Sequence, residues 1–112
     1  MDKQQIHEMT DFFGVLADNT RLSILYLLRE KEMMSKEIQD ELVKAQSTVS
    51  QHLKILKNAG LIDSRKEGAI KNYRIRDDRI FKILRTIKFY LLEKKKKLLE
   101  SIEKQDVLDT LR

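Results

Sequence analysis

The chain has no cysteine, no proline and no tryptophan among its 112 residues, and only three glycines. Without cysteine there is no disulfide, no thiolate metal site and no thiol redox switch. Without proline, or a Gly/Ser-rich stretch, nothing marks a linker, so residues 1–112 are expected to form a single domain with a core just large enough to be useful. Such a length leaves room for a binding module and an association element, but hardly for an enzyme with a separate substrate domain. No Ser/His/Asp, Cys/His or phosphate-loop arrangement appears, and no enzyme is expected. No apolar run approaches the 18 residues of a membrane span. The opening MDKQQIHEMTD also lacks the apolar stretch of a secretory signal, so the expected location is the cytoplasm.

What is abundant is charge. Hydrophobic residues make up 41% of the chain and charged residues 37%, a composition that folds. The net charge of +5 is unevenly spread: −2 over 1–17, −1 over 18–45, +5 over 46–76 and +3 over 77–112. Residues 46–76 hold seven cations against two anions. Such an excess suits a polyanion, because phosphate contacts release condensed counterions. Charge alone leaves a merely solubilising surface equally open.

Apolar spacing predicts five helices and two strands. The first helix, about 4–16, spaces Ile6, Met9, Phe13 and Leu16. The second, about 19–30, starts near Asp18 and turns Leu22, Leu25 and Leu28 inward. Ser35 can cap a short third helix carrying Ile38 and Leu42, with Glu37 in its first turn. The fourth, about 47–59, carries Val49, Leu53 and Leu56, and Gly60 reads as its C-terminal cap. Strands at about 61–66 and 70–76 flank a turn at Gly68, and one long helix follows from about 78 to 105. The fold class is therefore mainly α with a small β-hairpin. A short link near Lys44 to Gln46 makes residues 35–59 a helix-turn-helix, and the hairpin at 61–76 stands where a wing would.

The fourth helix resolves face by face at about 100° per residue. Leu53 and Leu56 fall close on either side of Val49 around the helix, which defines a buried stripe. Opposite lie Ser47, Gln51, Lys54 and Asn58, flanked by Thr48 and Ser50. From Lys44 to Gly60 there is no Asp or Glu. Short amides and hydroxyls with one cation suit base edges and phosphate in a major groove. In the hairpin, Arg65, Lys66, Lys71, Arg74 and Arg76 surround Gly68, with Tyr73 among them. These suit a grip on a nucleic-acid backbone. They equally suit a free strand edge charged against aggregation.

Three stretches carry a resemblance: LADNTRLSILYLL at 16–28, QSTVSQHLKILKNAGLI at 46–62 and RKEGAIKNYRI at 65–75. Together they resemble the ArsR/SmtB-type winged helix-turn-helix repressors. The resemblance implies a homodimeric, sequence-specific regulator of transcription, with Gln46, Ser47, Thr48, Ser50, Gln51 and His52 at recognition positions and Tyr73 on the wing. Three positions depart from the family pattern. Asn19 stands in place of a frequent proline, Ala45 where a serine commonly caps the recognition helix, and Ala69 where arginine is frequent after the wing glycine. The last departure leaves Lys66 or Lys71 to supply the wing contact. Many members sense metals through cysteines on the third helix or Asp/His/Glu sets on the last. The third helix here has no cysteine, the last has no histidine, and His7 and His52 stand apart, so no metal or other cofactor is expected.

The last helix is longer than a small domain needs. Ile80, Leu84, Ile87, Leu91, Leu98 and Ile102 form a stripe of the kind that packs against a partner helix. The resemblance adds the first helix, with Phe12 and Phe13, to that interface, so 1–17 and 78–112 are expected to dimerise. Lys94 to Lys97 interrupt the stripe and put at least one lysine on the seam. The expected partners are duplex DNA and a second copy, with no membrane. The alternatives are a winged-helix protein-interaction adaptor and a non-specific architectural DNA binder.

Overall fold

The computed structural model describes residues 1–111. Its element order is α1 (Lys3–Leu16), α2 (Asn19–Glu30), β1 (Met33–Met34), α3 (Ser35–Leu42), α4 (Gln46–Asn58), β2 (Ile62–Glu67), β3 (Ile70–Ile75) and α5 (Ile80–Leu111). The chain divides into two compact units, Met1–Asp78 and the segment from Arg79 onward.

Local chemistry sets the boundaries of the first unit. A capping box opens α1: Asp2 Oδ1 accepts the Gln5 N–H at 2.8 Å, and Gln5 Oε1 accepts the Asp2 N–H at 3.0 Å. Asp18 caps α2 by accepting the Arg21 N–H at 3.0 Å. The replacement of proline by Asn19 therefore leaves this start capped. Ser35, read from sequence as the α3 cap, is instead its first helical residue. Its Oγ accepts from Gln39 Nε2 at 3.0 Å, while Glu37 Oε1 takes the Met34 N–H at 2.9 Å. Helix α4 ends as its sequence predicts. Gly60 adopts φ 77°, and the Gly60 and Leu61 N–H groups donate to the Lys57 and Leu56 carbonyls, closing a Schellman motif.

The core of this unit gathers Leu16, Ile24, Leu25, Leu28, Ile38, Val49, Leu53, Leu56, Leu61 and Ile62. Ile24 is fully buried where the sequence pattern favours Leu22, which is only half-buried. Burying each such aliphatic side chain is worth about 1.5–3 kcal/mol. The sheet is antiparallel in the order β1-β3-β2, with Met33 opposite Tyr73 and Ser64 opposite Tyr73 on the other side. Strand β1 escapes the sequence because two residues give no alternation to read. At the hairpin tip Glu67 pairs with Ile70, and Gly68 alone of the two loop residues has a left-handed φ (63°), the pattern of a type II′ turn.

In the second unit α5 runs to Leu111, beyond its predicted end, because no glycine or proline interrupts it. Its first turns differ from the sequence expectation. Ile80 and Leu84 are assigned above to a partner-facing stripe, yet they are 2% and 8% exposed in the single chain. Periodicity identifies a face that will be buried, not what buries it. The exposed stripe begins at Ile87 and continues through Leu91, Leu98 and Ile102.

Candidate nucleic-acid interface

Between α3 and α4 the chain reverses through Val43, whose backbone is left-handed at φ 53°. Burial of Val49, Leu53 and Leu56 then fixes the rotation of α4. Gln46, Ser47, Ser50, Gln51, Lys54 and Asn58 are exposed, and Thr48 is half-buried beside them. Among the described residues, none of these seven side chains has a hydrogen bond or ion pair. The face is a row of unspent donors and acceptors with a single cation. Gln amides and Ser hydroxyls can both donate and accept, as base edges require, while Lys54 can meet phosphate. Ala45 occupies the N-cap without a side-chain bond, so the first-turn N–H groups of α4 are not covered by a cap side chain.

His52 does not belong to this face. Its Nδ1 lies 3.0 Å from Arg21 Nη1 and 3.9 Å from Asp18 Oδ1, and its side chain is 17% exposed. Around the helix it falls beside the buried stripe rather than opposite it, and that placement was the available signal. Arg21 also donates from Nε to the Val15 carbonyl at 2.6 Å and from Nη2 to the Gly14 carbonyl at 3.1 Å. His52 thus helps join the end of α1 and the start of α2 to α4. Asp18, beside it, is held below the usual carboxylate range, chiefly by the Arg21 N–H. Partial burial opposes this, and the charge of Arg21 adds to it.

The wing separates its cations by register. Paired residues share a face, so Ser64, Lys66, Lys71 and Tyr73 lie on one side, and Asp63, Arg65, Glu67, Asn72 and Arg74 on the other. The second side is an ion-pair network. Arg65 meets Glu32 at 3.1 Å and Glu67 at 3.6 Å; Arg74 meets Asp63 at 2.7 Å and Glu32 at 4.0 Å. The hydrogen bond and charge of Asp63 raise the pKa of Arg74. Arg65, read from sequence as a DNA contact, is thereby already neutralised by carboxylates. On the first side Lys66 and Lys71 stand exposed opposite one another, with Lys71 Nζ 5.2 Å from the Tyr73 ring centroid. Lys57, which the sequence did not single out, reaches from α4 to Ser64 Oγ at 2.8 Å on this same side.

Of the residues assigned to self-association in the first unit, Phe12 is half-buried and Phe13 is 50% exposed. Among the described residues, no three of His, Cys, Asp and Glu come together to hold a metal ion. No helix among them is long and apolar enough to cross a membrane.

A helix-turn-helix with an open polar second helix, followed by a hairpin with a lysine face, defines a winged helix-turn-helix protein of the DNA-binding class. Comparison with known proteins gives the family. Residues 18–64 match the bacterial regulatory proteins of the arsR family. An HTH-type transcriptional regulator of Methanocaldococcus jannaschii is 42% identical over 85 residues, 75% of this chain and 96% of the relative. The crystal structure of Rv0081 from M. tuberculosis superposes with a TM-score of 0.80 at 25% identity, covering 88% of this chain and 99% of that one. The homodimeric winged helix-turn-helix DNA-binding domain of a possible ArsR-family regulator from Mycobacterium bovis gives 0.71 at 26% identity, covering 83% and 88%. The chain belongs to the arsR family of winged helix-turn-helix, DNA-binding transcription regulators.

Proposed function

We propose that this protein is a cytoplasmic, homodimeric repressor that binds an inverted-repeat operator. The observation that carries the reading is the carboxylate-free face of α4, whose polar side chains have no partner within the described residues. Gln46, Ser47, Thr48, Ser50 and Gln51 read base edges, while Lys54, Lys66 and Lys71 hold the backbone. Residues 35–59 act as the helix-turn-helix, 61–76 as the wing, and 1–17 and 78–112 as the dimerisation helices of one functional domain. The exposed apolar residues of α5 from Ile87 onward, and separately Phe13 on α1, support self-association, since each gains from leaving water. The homodimeric Mycobacterium bovis domain supports it as well. A two-fold mate presents two recognition helices, and half-sites about 34 Å apart follow from the DNA repeat. Occupying such a site excludes polymerase.

The test is selection of bound fragments from the source genome, followed by bandshifts on the selected duplex, a single half-site and random duplex at matched salt. An inverted repeat bound at least about a thousandfold more tightly than random DNA supports the reading. Equal binding to all duplexes identifies an architectural protein. No binding to any identifies an adaptor.

A further inference from the structure

Lys57 and Lys71 come from different elements, α4 and β3, yet both side chains turn to the same cross-strand pair, Ser64 and Tyr73. The Lys57 ammonium donates to Ser64 Oγ at 2.8 Å, and Lys71 Nζ lies 5.2 Å from the centroid of the Tyr73 ring. Opposed residues of an antiparallel pair have Cβ atoms about 5 Å apart, so Ser64 and Tyr73 make one small floor between the two ammoniums. Among the described residues, neither ammonium meets a carboxylate. Asp63 and Glu67 lie on the other side of the hairpin, where Arg74 and Arg65 hold them. Like charges gathered at one place without a counter-charge repel each other, and water screens that repulsion only in part.

The hydrogen-bonding groups that remain are donors. With one N–H on Ser64 Oγ, Lys57 keeps its other two, and the Lys71 ammonium has all of its own. The Ser64 hydroxyl, accepting from Lys57, still has its own proton to give. Several donors with two positive charges suit an anion whose oxygens accept more than one hydrogen bond each, and a backbone phosphodiester has that form.

We propose that Lys57, Ser64 and Lys71 form a cradle for a single backbone phosphate of the duplex, in the angle between the recognition helix and the wing. Lys57 and Lys71 contact that phosphate. Ser64 holds the Lys57 ammonium in place, and the Tyr73 ring holds that of Lys71. Lys66 stands opposite Lys71, two residues beyond Ser64 and about 7 Å nearer the hairpin tip, with no partner to draw it back. It meets a different phosphate. The inference rests on the operator-binding reading. It adds a contact, Lys57, a positioning residue, Ser64, and one phosphate shared by helix and wing, which ties both elements to one register on the DNA.

The test uses the selected duplex carrying a neutral methylphosphonate at one linkage at a time. Bandshifts give affinities for the full-length wild type and for Lys57→Gln, Lys71→Gln and Lys66→Gln. Lys57→Gln should weaken binding to the unmodified duplex roughly fivefold. One linkage in each half-site should cost Lys57→Gln and Lys71→Gln much less than it costs the wild type, while Lys66→Gln keeps the full loss there. Ser64→Ala, which frees the Lys57 ammonium, should lessen the effect of this linkage and of no other; Ser64→Thr should restore it. Different linkages for Lys57 and Lys71, no linkage for Lys57, or equal blunting at every linkage by all three lysine variants overturns the cradle and leaves operator binding intact. A wild type that binds no duplex overturns both.

Discussion

Arg21 Nη1 and His52 Nδ1 sit 3.0 Å apart and connect the first turn of α2 to the middle of α4. A guanidinium only donates, so Nδ1 accepts and the imidazole proton sits on Nε2. Through its other nitrogens Arg21 holds the Gly14 and Val15 carbonyls near the end of α1. His52 therefore orients the recognition helix rather than reading bases. His52→Ala should lower the melting temperature and weaken selected and random duplex by the same factor. A loss confined to the selected duplex would show base contact instead.

Asp18 gives this junction an acid-sensitive edge. Its folded-state pKa lies below its unfolded value of about 3.9. The carboxylate thus contributes stability above the unfolded pKa, and that contribution is lost as the pH falls through the folded one. Asp18→Ala should melt lower than the wild type at pH 7. The gap should narrow as the pH drops below about 5. A gap independent of pH would mean that the charge plays no part.

On the open face of α4, Gln51→Ala or Ser47→Ala should cost about 1–3 kcal/mol on the selected duplex and leave random DNA nearly unchanged. Both side chains lack intramolecular partners, so their removal should leave thermal stability intact. Competition bandshifts measure the ratio. Equal losses on the two duplexes would remove both residues from base readout.

The frame was legible because its signals are local. The Val49, Leu53 and Leu56 stripe and the Gly60 stop fixed both the rotation and the end of α4, and Gly68 marked the hairpin turn. The misplaced residues depend on contacts that sequence spacing does not carry. Ile80 and Leu84 fit a partner stripe and a buried first turn equally well. Arg65 and Lys66 are adjacent cations until the register sends one toward Glu32 and leaves the other free. His52 was assigned by resemblance although its helical position already set it beside the core.

That register yields a wing prediction. Neutralising Lys66 or Lys71 should weaken binding to all duplexes and reduce the salt slope by about one unit each. Arg65→Gln should leave the slope unchanged, because Glu32 and Glu67 already hold its charge. A slope change for Arg65 matching that for Lys66 would show that the ion-pair network opens on DNA.

Val43 offers a stabilising substitution at the turn of the helix-turn-helix. It is a β-branched residue with φ 53°, a conformation that costs an L-residue about 1–2 kcal/mol because Cβ crowds the following carbonyl. Its side chain is 88% exposed, so it regains almost nothing by burial. Glycine removes the strain but gives the unfolded chain more freedom, an opposing cost of about 0.5–1 kcal/mol. The balance favours Val43→Gly by up to about 1 kcal/mol. Asparagine, which tolerates the left-handed region with less unfolded-state freedom, should do at least as well. The backbone is preserved in both variants: the Lys44 N–H still bonds the Gln39 carbonyl at 3.1 Å and α4 keeps its entry. DNA affinity should therefore not move. Urea unfolding measures the first effect and bandshifts the second. Destabilisation by both substitutions would show that the Val43 side chain contributes more than its exposure allows. A fall in affinity at unchanged stability would instead place Val43 in contact with the duplex.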